Sequence, residues 1–194
     1  MSAQDGRRIL LLCTGAWNPN CLEHVVEQFG FTPITYDLSG PVSRNLDADG
    51  EWQRLLHSVK SGDYHALVVW PPAATFRDTG APARTYADPA GISSAQASAS
   101  GVSHSTMGKI RLANCLVLRC AEAASAMVDL GRPLAWILPD AQAGESSMEQ
   151  LNEIKLLKLR GCSVVRTLGC HFGTAARHPT AIQYHVASFD TLQA

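Results

Sequence analysis

The chain has 194 residues, 46% of them hydrophobic and 17% charged, with a net charge of −1. That length is enough to bury a core without disulfide or metal staples and fits a single domain, residues 1–194. A near-neutral balance excludes a global positive field toward nucleic acid or anionic membrane, so DNA contact would need a local patch, and the low charge content leaves room for a protein partner.

Residues 8–14 (RILLLCT) form an apolar run of strand length. Asn18-Pro19 is a helix-start signal, and Leu22, Val25, Val26 and Phe29 supply one apolar face before Gly30. Residues 31–38 (FTPITYDL) give a second strand with Asp37 at its carboxyl end. Asp49 is the expected cap of a second helix facing inward through Trp52, Leu55, Leu56 and Val59 and stopping at Gly62. The continuous apolar run of residues 66–70 follows and reads as a central strand covered on both faces. Pro71 and Pro72 end it, because neither can donate to a ladder and each holds the preceding residue extended.

Residues 77–106 are rich in Gly, Ala, Ser, Pro and Thr and read as a long loop, a lid or a disordered segment. A long helix is expected over residues 106–130, with Ile110, Asn114, Val117, Ala121, Ala124 and Val128 on one stripe, so that Asn114 faces inward. Residues 134–138 form the next buried strand, and Ser146 with Glu149 reads as a capping box for a helix along Leu151, Ile154 and Leu157. The last strands, residues 163–168 and 181–187, have no helix-length segment between them and are expected to pair antiparallel at the sheet edge. Alternating strands and helices imply an α/β fold: a Rossmann-like, mostly parallel sheet with helices on both faces, its first, second, central and fourth strands in the middle.

Six cysteines without a CxxC pair suggest reduced thiols and an intracellular chain, with Cys13 and Cys162 as small core residues. No apolar segment is long enough for a membrane span, and the scattered histidines give no metal-ligand spacing. Cys170-His171 is not a nucleophile-base pair, since strand neighbours point to opposite faces. Carboxyl ends of central strands are where open α/β sheets bind ligands. The candidate ligand-contacting residues are therefore those of the loops after the first strand (Thr14 to Asn18, with Thr14 and Gly15 foremost), the second (Asp37 to Gly40, with Asp37 foremost) and the central one (Trp70 to Arg77). Asp37 stands where such folds accept hydrogen bonds from a ribose. Without GxGxxG after the first strand, a dinucleotide-binding oxidoreductase is disfavoured. Arg77, Arg84, Lys109, Arg111 and Arg119 are candidates for a local basic patch that could touch DNA phosphates.

The strings WPPAATFR (70–77), PARTYADPAG (82–91), LANCLVLR (112–119) and SMEQLNEIKLLKLRGCSVVRTLGCHFGTAARHPT (147–180), in this order, resemble a family of small S-adenosylmethionine-dependent methyltransferase-like proteins related to the cytosine-5 DNA methyltransferases. The resemblance implies a class I methyltransferase-type fold, S-adenosylmethionine as cofactor at Thr14, Gly15, Asp37 and Trp70, and a substrate face at Pro71, Pro72, Ala73, Thr75 and Arg77. Three departures fall on the chemistry. Ala73 stands where the family has the cysteine that attacks the pyrimidine, Leu138-Pro139-Asp140 replaces its Glu-Asn-Pro, and CTGAWNPN keeps only Gly15 of the glycine-rich first loop and places Trp17 there. Amino-methylating enzymes need no thiol, but they use a polar residue before the Pro-Pro and an aromatic after it, and Trp70 and Ala73 supply neither. The expected function is that of a DNA methyltransferase-like protein with weak or lost catalysis. The alternative is a non-catalytic interaction module on the same scaffold, part of a larger or mobile-element-derived protein.

Overall fold

The computed structural model describes residues 6–14, 22–37, 46–72, 74–77, 84, 88–93, 96, 99–139, 147–168 and 179–186. In chain order they form β1 (Arg8–Leu12), α1 (Leu22–Gln28), β2 (Thr32–Tyr36), α2 (Asp49–Lys60), β3 (Ala66–Val69) and the short α3 (Ala74–Arg77). After these come α4 (His104–Asp129), β4 (Leu134–Pro139), a 3₁₀ turn (Met148–Gln150), α5 (Asn152–Leu159), β5 (Ser163–Leu168) and β6 (Pro179–His185). The six strands make one sheet in the order β2-β1-β3-β4-β6-β5. Five share one direction, and β6 runs against both of its neighbours.

The period-2 alternation sorts the strands into two faces. Leu10, Leu12, Leu67, Val69, Leu134, Trp136 and Leu138 turn to one side and join a single buried cluster with Trp52, Leu55, Leu56 and Val59 of α2, Leu116, Val117 and Cys120 of α4, and Ile154 and Leu157 of α5. Leu11 and Val26 are buried outside that cluster. Right-handed crossovers place α1 alone among the described helices on that second face. There Ala66, Val68, Ala135, Ile137 and Ile182 are only half-buried, so β3 is fully covered on one face and partly on the other.

Several boundaries differ from expectation. β3 is central, but β2 is an edge strand, and its Pro33, paired with Ile9, explains why: a residue with no N–H is tolerated at a sheet margin. β3 ends at Val69, leaving Trp70 45% exposed beyond it. α1 buries only Val26, while Val25 and Phe29 are exposed, because seven residues present a narrower inward face than the apolar spacing suggests. Asp49 does not cap α2: Ala48 occupies the N-cap and makes no side-chain bond, and the Asp49 carboxylate accepts from Arg119 instead. The capping box lies one residue later than expected, on Ser147 and Gln150. Ser146 and the Asn18-Pro19 start signal lie outside the described residues.

The segment read as a long loop contains helical hydrogen bonding. Ser93 and Gln96 cap each other reciprocally, and Ser100 N–H donates to the Gln96 carbonyl. α4 begins two residues earlier than predicted, with the Ser103 hydroxyl accepting from Thr106 N–H. It ends at Asp129, and Gly131, just past the Leu130 C-cap, takes up the left-handed conformation of a helix stop with φ of +62°. The inward stripe is as expected: Ile110, Val117, Ala121 and Ala124 are buried, while Asn114 and Val128 are half-buried. No helix among the described residues is long and apolar enough to cross a membrane.

Candidate functional site

The chain leaves β1 to one side, to form β2, and later returns to the other side as β3, so the strand order reverses between β1 and β3. In an open α/β sheet the crevice at such a reversal, outside the carboxyl strand ends, is the default ligand site. The backbone ties those ends together, with Cys13 N–H donating to the Tyr36 carbonyl (2.9 Å) and Trp70 N–H to the Leu12 carbonyl (2.9 Å). Thr14, Asp37 and Trp70 therefore stand at three adjacent strand ends, the first two half-buried and the indole exposed. These ends carry a hydroxyl, a carboxylate and a partly exposed indole. Gly15 and Ala73 lie outside the described residues, as does the Arg77 side chain.

Beyond β3, Pro71 is buried and Pro72 exposed, and Phe76 of α3 is buried. Thr75 is drawn into a hydrogen-bonded cluster around Arg84. One Arg84 amino group, Nη2, donates to Thr75 Oγ1 (3.1 Å) and Asn114 Oδ1 (2.9 Å) and makes a long contact to the Ile110 carbonyl, while Nη1 donates to the Pro89 carbonyl. The guanidinium lies 3.8 Å from the Phe76 ring centroid, a cation-π contact. Asn114 Nδ2 completes the arrangement by donating to the Ala90 carbonyl (2.7 Å). Every acceptor named here is neutral, and burial lowers the Arg84 pKa to about 10. Arg84 Nε is buried and has no hydrogen-bond partner among the described residues.

This cluster clamps three parts of the chain distant in sequence: the helical turn after β3, Arg84 with Pro89 and Ala90, and the first half of α4. The sequence carried half of the signal, an Asn on an otherwise apolar helical stripe. Its partner could not be read, because arginines in a Gly/Ala/Ser-rich stretch look like solvated charge. The basic patch is correspondingly reduced. Arg84 is spent in the clamp, and Arg119, 13% exposed, donates to the Leu46 carbonyl and to Asp49, bracing α4 against the start of α2. Lys109 and Arg111 remain exposed on α4.

Cys13 is not a plain core residue. It is half-buried, and with φ = +58° it is the one non-glycine residue in the left-handed region among the described residues. A separate cavity of about 350 Å³ lies between residues 88–91 and the start of α5, bordered by Asp88, Pro89, Asn152, Glu153 and Lys155. Among the described residues no group of three or more His, Cys, Asp or Glu could hold a metal ion. No protein-family model, curated protein or solved structure matches the chain.

Proposed function

We propose that this chain is a DNA methyltransferase-like protein with a class I methyltransferase-type, Rossmann-like fold that binds S-adenosylmethionine and whose methyl transfer is weak or lost. The observation that carries the reading is the Arg84 clamp. Thr75 and Phe76, Arg84, and Asn114 belong to three separate strings of the resemblance, and in the fold they meet at one place, immediately after the central strand. A chance resemblance in scattered pieces gives no reason for them to touch. The mostly parallel sheet, with its reversed β6 beside the parallel edge strand β5, supports the same reading.

S-adenosylmethionine, when bound, supplies the methyl group. Toward it the chain offers the Asp37 carboxylate as acceptor for ribose hydroxyls, the Trp70 indole as a stacking face and the Thr14 hydroxyl as a polar contact, with Gly15 in the same loop. Toward a base the chain offers Pro71, Pro72, Ala73, Thr75 and Arg77. Of these, Thr75 is already engaged by Arg84. With Ala73 in the nucleophile's place, no thiolate attacks a pyrimidine there, and covalent activation of a cytosine ring is lost. DNA phosphates would be met by Lys109 and Arg111, a modest patch on a chain of net charge −1.

Isothermal titration of the full chain with S-adenosylmethionine tests this. One-to-one binding, weakened by Asp37→Ala, is the expected result. Absence of binding to a folded sample would favour the interaction module. That second reading has its own observation: Leu156 (52% exposed) and Leu159 (82% exposed) on α5, with Leu130 just past α4, leave apolar side chains on the outer helical layer.

A further inference from the structure

We propose that the cavity between residues 88–91 and the start of α5 binds a basic α-amino acid, the Lys155 ammonium taking its carboxylate and the Glu153 carboxylate its α-ammonium. The cavity measures about 350 Å³, and none of the crevice positions Thr14, Asp37 and Trp70 borders it. Ligand pockets run from about 300 to 1,000 Å³, so this one is at the small end and suits a ligand the size of a single amino acid. One wall is set by the clamp: the Pro89 carbonyl accepts from Arg84 and the Ala90 carbonyl from Asn114 Nδ2. On the other side the Gln150 amide oxygen accepts from Ser147 N–H, which fixes the turn that leads into α5. Both walls are therefore held before a ligand arrives, which lowers the ordering cost of binding.

The α5 wall carries two charges that the fold does not consume. Glu153 is half-buried and Lys155 is exposed, and among the described residues neither side chain has a hydrogen-bond or ion-pair partner. Their spacing accounts for this, because residues two apart on a helix do not face each other and so cannot neutralise one another. Lys158, by contrast, is paired with Glu149 at 2.9 Å. An unpaired anion and an unpaired cation bordering one small cavity are complementary to a zwitterion, and an α-amino acid is the compact ligand with both charges. Asp88, on the clamp side, is already engaged, but its carboxylate still leaves the lining with two negative charges to one positive. That excess favours a ligand with a second cationic group, such as L-arginine or L-lysine, over an acidic one.

The test titrates the full ¹⁵N-labelled chain with L-arginine and follows its amide signals. Saturable one-to-one binding is expected, with the shifts concentrated at Ala90, Gly91, Asn152 and Glu153. Glu153→Gln and Lys155→Met should each weaken binding by about tenfold or more, the loss of one charged hydrogen bond, and leave the melting temperature unchanged. Agmatine, which lacks the carboxylate, Nα-acetyl-L-arginine, which lacks the α-ammonium, and L-glutamate should all bind more weakly than L-arginine. Asp37→Ala should leave L-arginine binding intact, which separates this site from the one tested with S-adenosylmethionine. The proposal is overturned if millimolar L-arginine moves no signals of the folded chain, if the shifts lie elsewhere, if both variants bind as the wild type does, or if agmatine or L-glutamate binds as tightly as L-arginine.

Discussion

Asn114 and Arg84, thirty residues apart, are bonded through Oδ1 and Nη2 at 2.9 Å, and the same Asn side chain donates to the Ala90 carbonyl, so one amide holds both Arg84 and Ala90. Asn114→Ala leaves a buried cationic donor and a carbonyl without this partner. The expected cost is about 1–3 kcal/mol in urea unfolding, the range for stranding a buried polar group. Arg84→Lys should cost a similar amount, because an ammonium cannot reproduce the guanidinium fork or its stacking on Phe76. Both losses should be accompanied by faster proteolysis within residues 78–93.

The left-handed backbone at Cys13 makes a separate prediction about stability. Cys13→Gly relieves a left-handed cost of about 1–2 kcal/mol while giving up the packing of the thiol, so the melting temperature should change little. Cys13→Val is similar in size to cysteine but branched at Cβ, and should destabilise by about 2 kcal/mol or more, since β-branched residues are the least tolerant of positive φ.

Alkaline pH should destabilise the fold through its buried thiols. The Cys120 pKa is raised well above 9.0 by its hydrogen bond with Cys13, by burial, and by the negative charge that Cys13 and Asp37 can carry; burial also raises that of Cys162. The native state keeps these protons while the unfolded chain gives them up near pH 9, so this contribution is fully present below about pH 9 and is lost as pH rises toward the folded values. Urea melts under reducing conditions should show stability falling between about pH 8 and 10, by at most roughly 1.4 kcal/mol per pH unit per thiol. The fall should be shallower in Cys120→Ala. Arg84 acts with the opposite sign: burial lowers its folded pKa to about 10, below its unfolded value, so its contribution rises with pH above about 10.

Trp136 and Gln183 are register partners on β4 and β6, both fully buried, and the Trp136 Nε1–H and the Gln183 Oε1 each lack a hydrogen-bond partner among the described residues. Gln183 Nε2 makes only a long bond, 3.4 Å, to the Ile154 carbonyl. A buried acceptor without a partner carries its full desolvation penalty, whereas an apolar side chain of the same length carries none. Gln183→Met should therefore be neutral or stabilise by about 1 kcal/mol, measured by denaturant midpoint at an unchanged m-value. A loss of more than that would mean that the amide is better satisfied than its geometry indicates.

What was legible in the sequence is what depends on local pattern. The run at residues 66–69 gave the central strand, the spacing of Trp52, Leu55, Leu56 and Val59 gave the buried face of α2, and the missing helix between the last two strands gave their antiparallel pairing. Pro33, with no N–H to give a ladder, is the residue of β2 that fits an edge position, and the expectation of a middle strand did not use it. Trp70 was read into β3 because hydrophobicity does not reveal where a strand leaves its sheet; the exposure follows from Pro71 and Pro72. The clamp was legible only on the Asn114 side, since a bond across thirty residues has no period. The left-handed Cys13 had no signal at all, because that conformation is expected of glycine, and Gly15 stands two residues later.

On the methyltransferase-like reading proposed above, introducing the thiol of the resembled enzymes isolates the chemistry. Ala73→Cys places a sulfur after Pro72, at the position where the resembled enzymes attack cytosine, and a small increase in volume just beyond exposed Pro72 should leave the melting temperature nearly unchanged. Covalent attack also needs the base held and its ring made electrophilic, and the family's carboxylate for that purpose is replaced by Leu138-Pro139-Asp140. Trp17, in the first loop, also departs from the small residues that favour close approach of a nucleotide. With three parts changed and one restored, no adduct is expected when the variant is incubated with DNA carrying a mechanism-based cytosine analogue and S-adenosylmethionine. A denaturation-resistant protein–DNA band from Ala73→Cys, absent in the wild type, would show that the thiol was the only missing part and that the remaining site is intact.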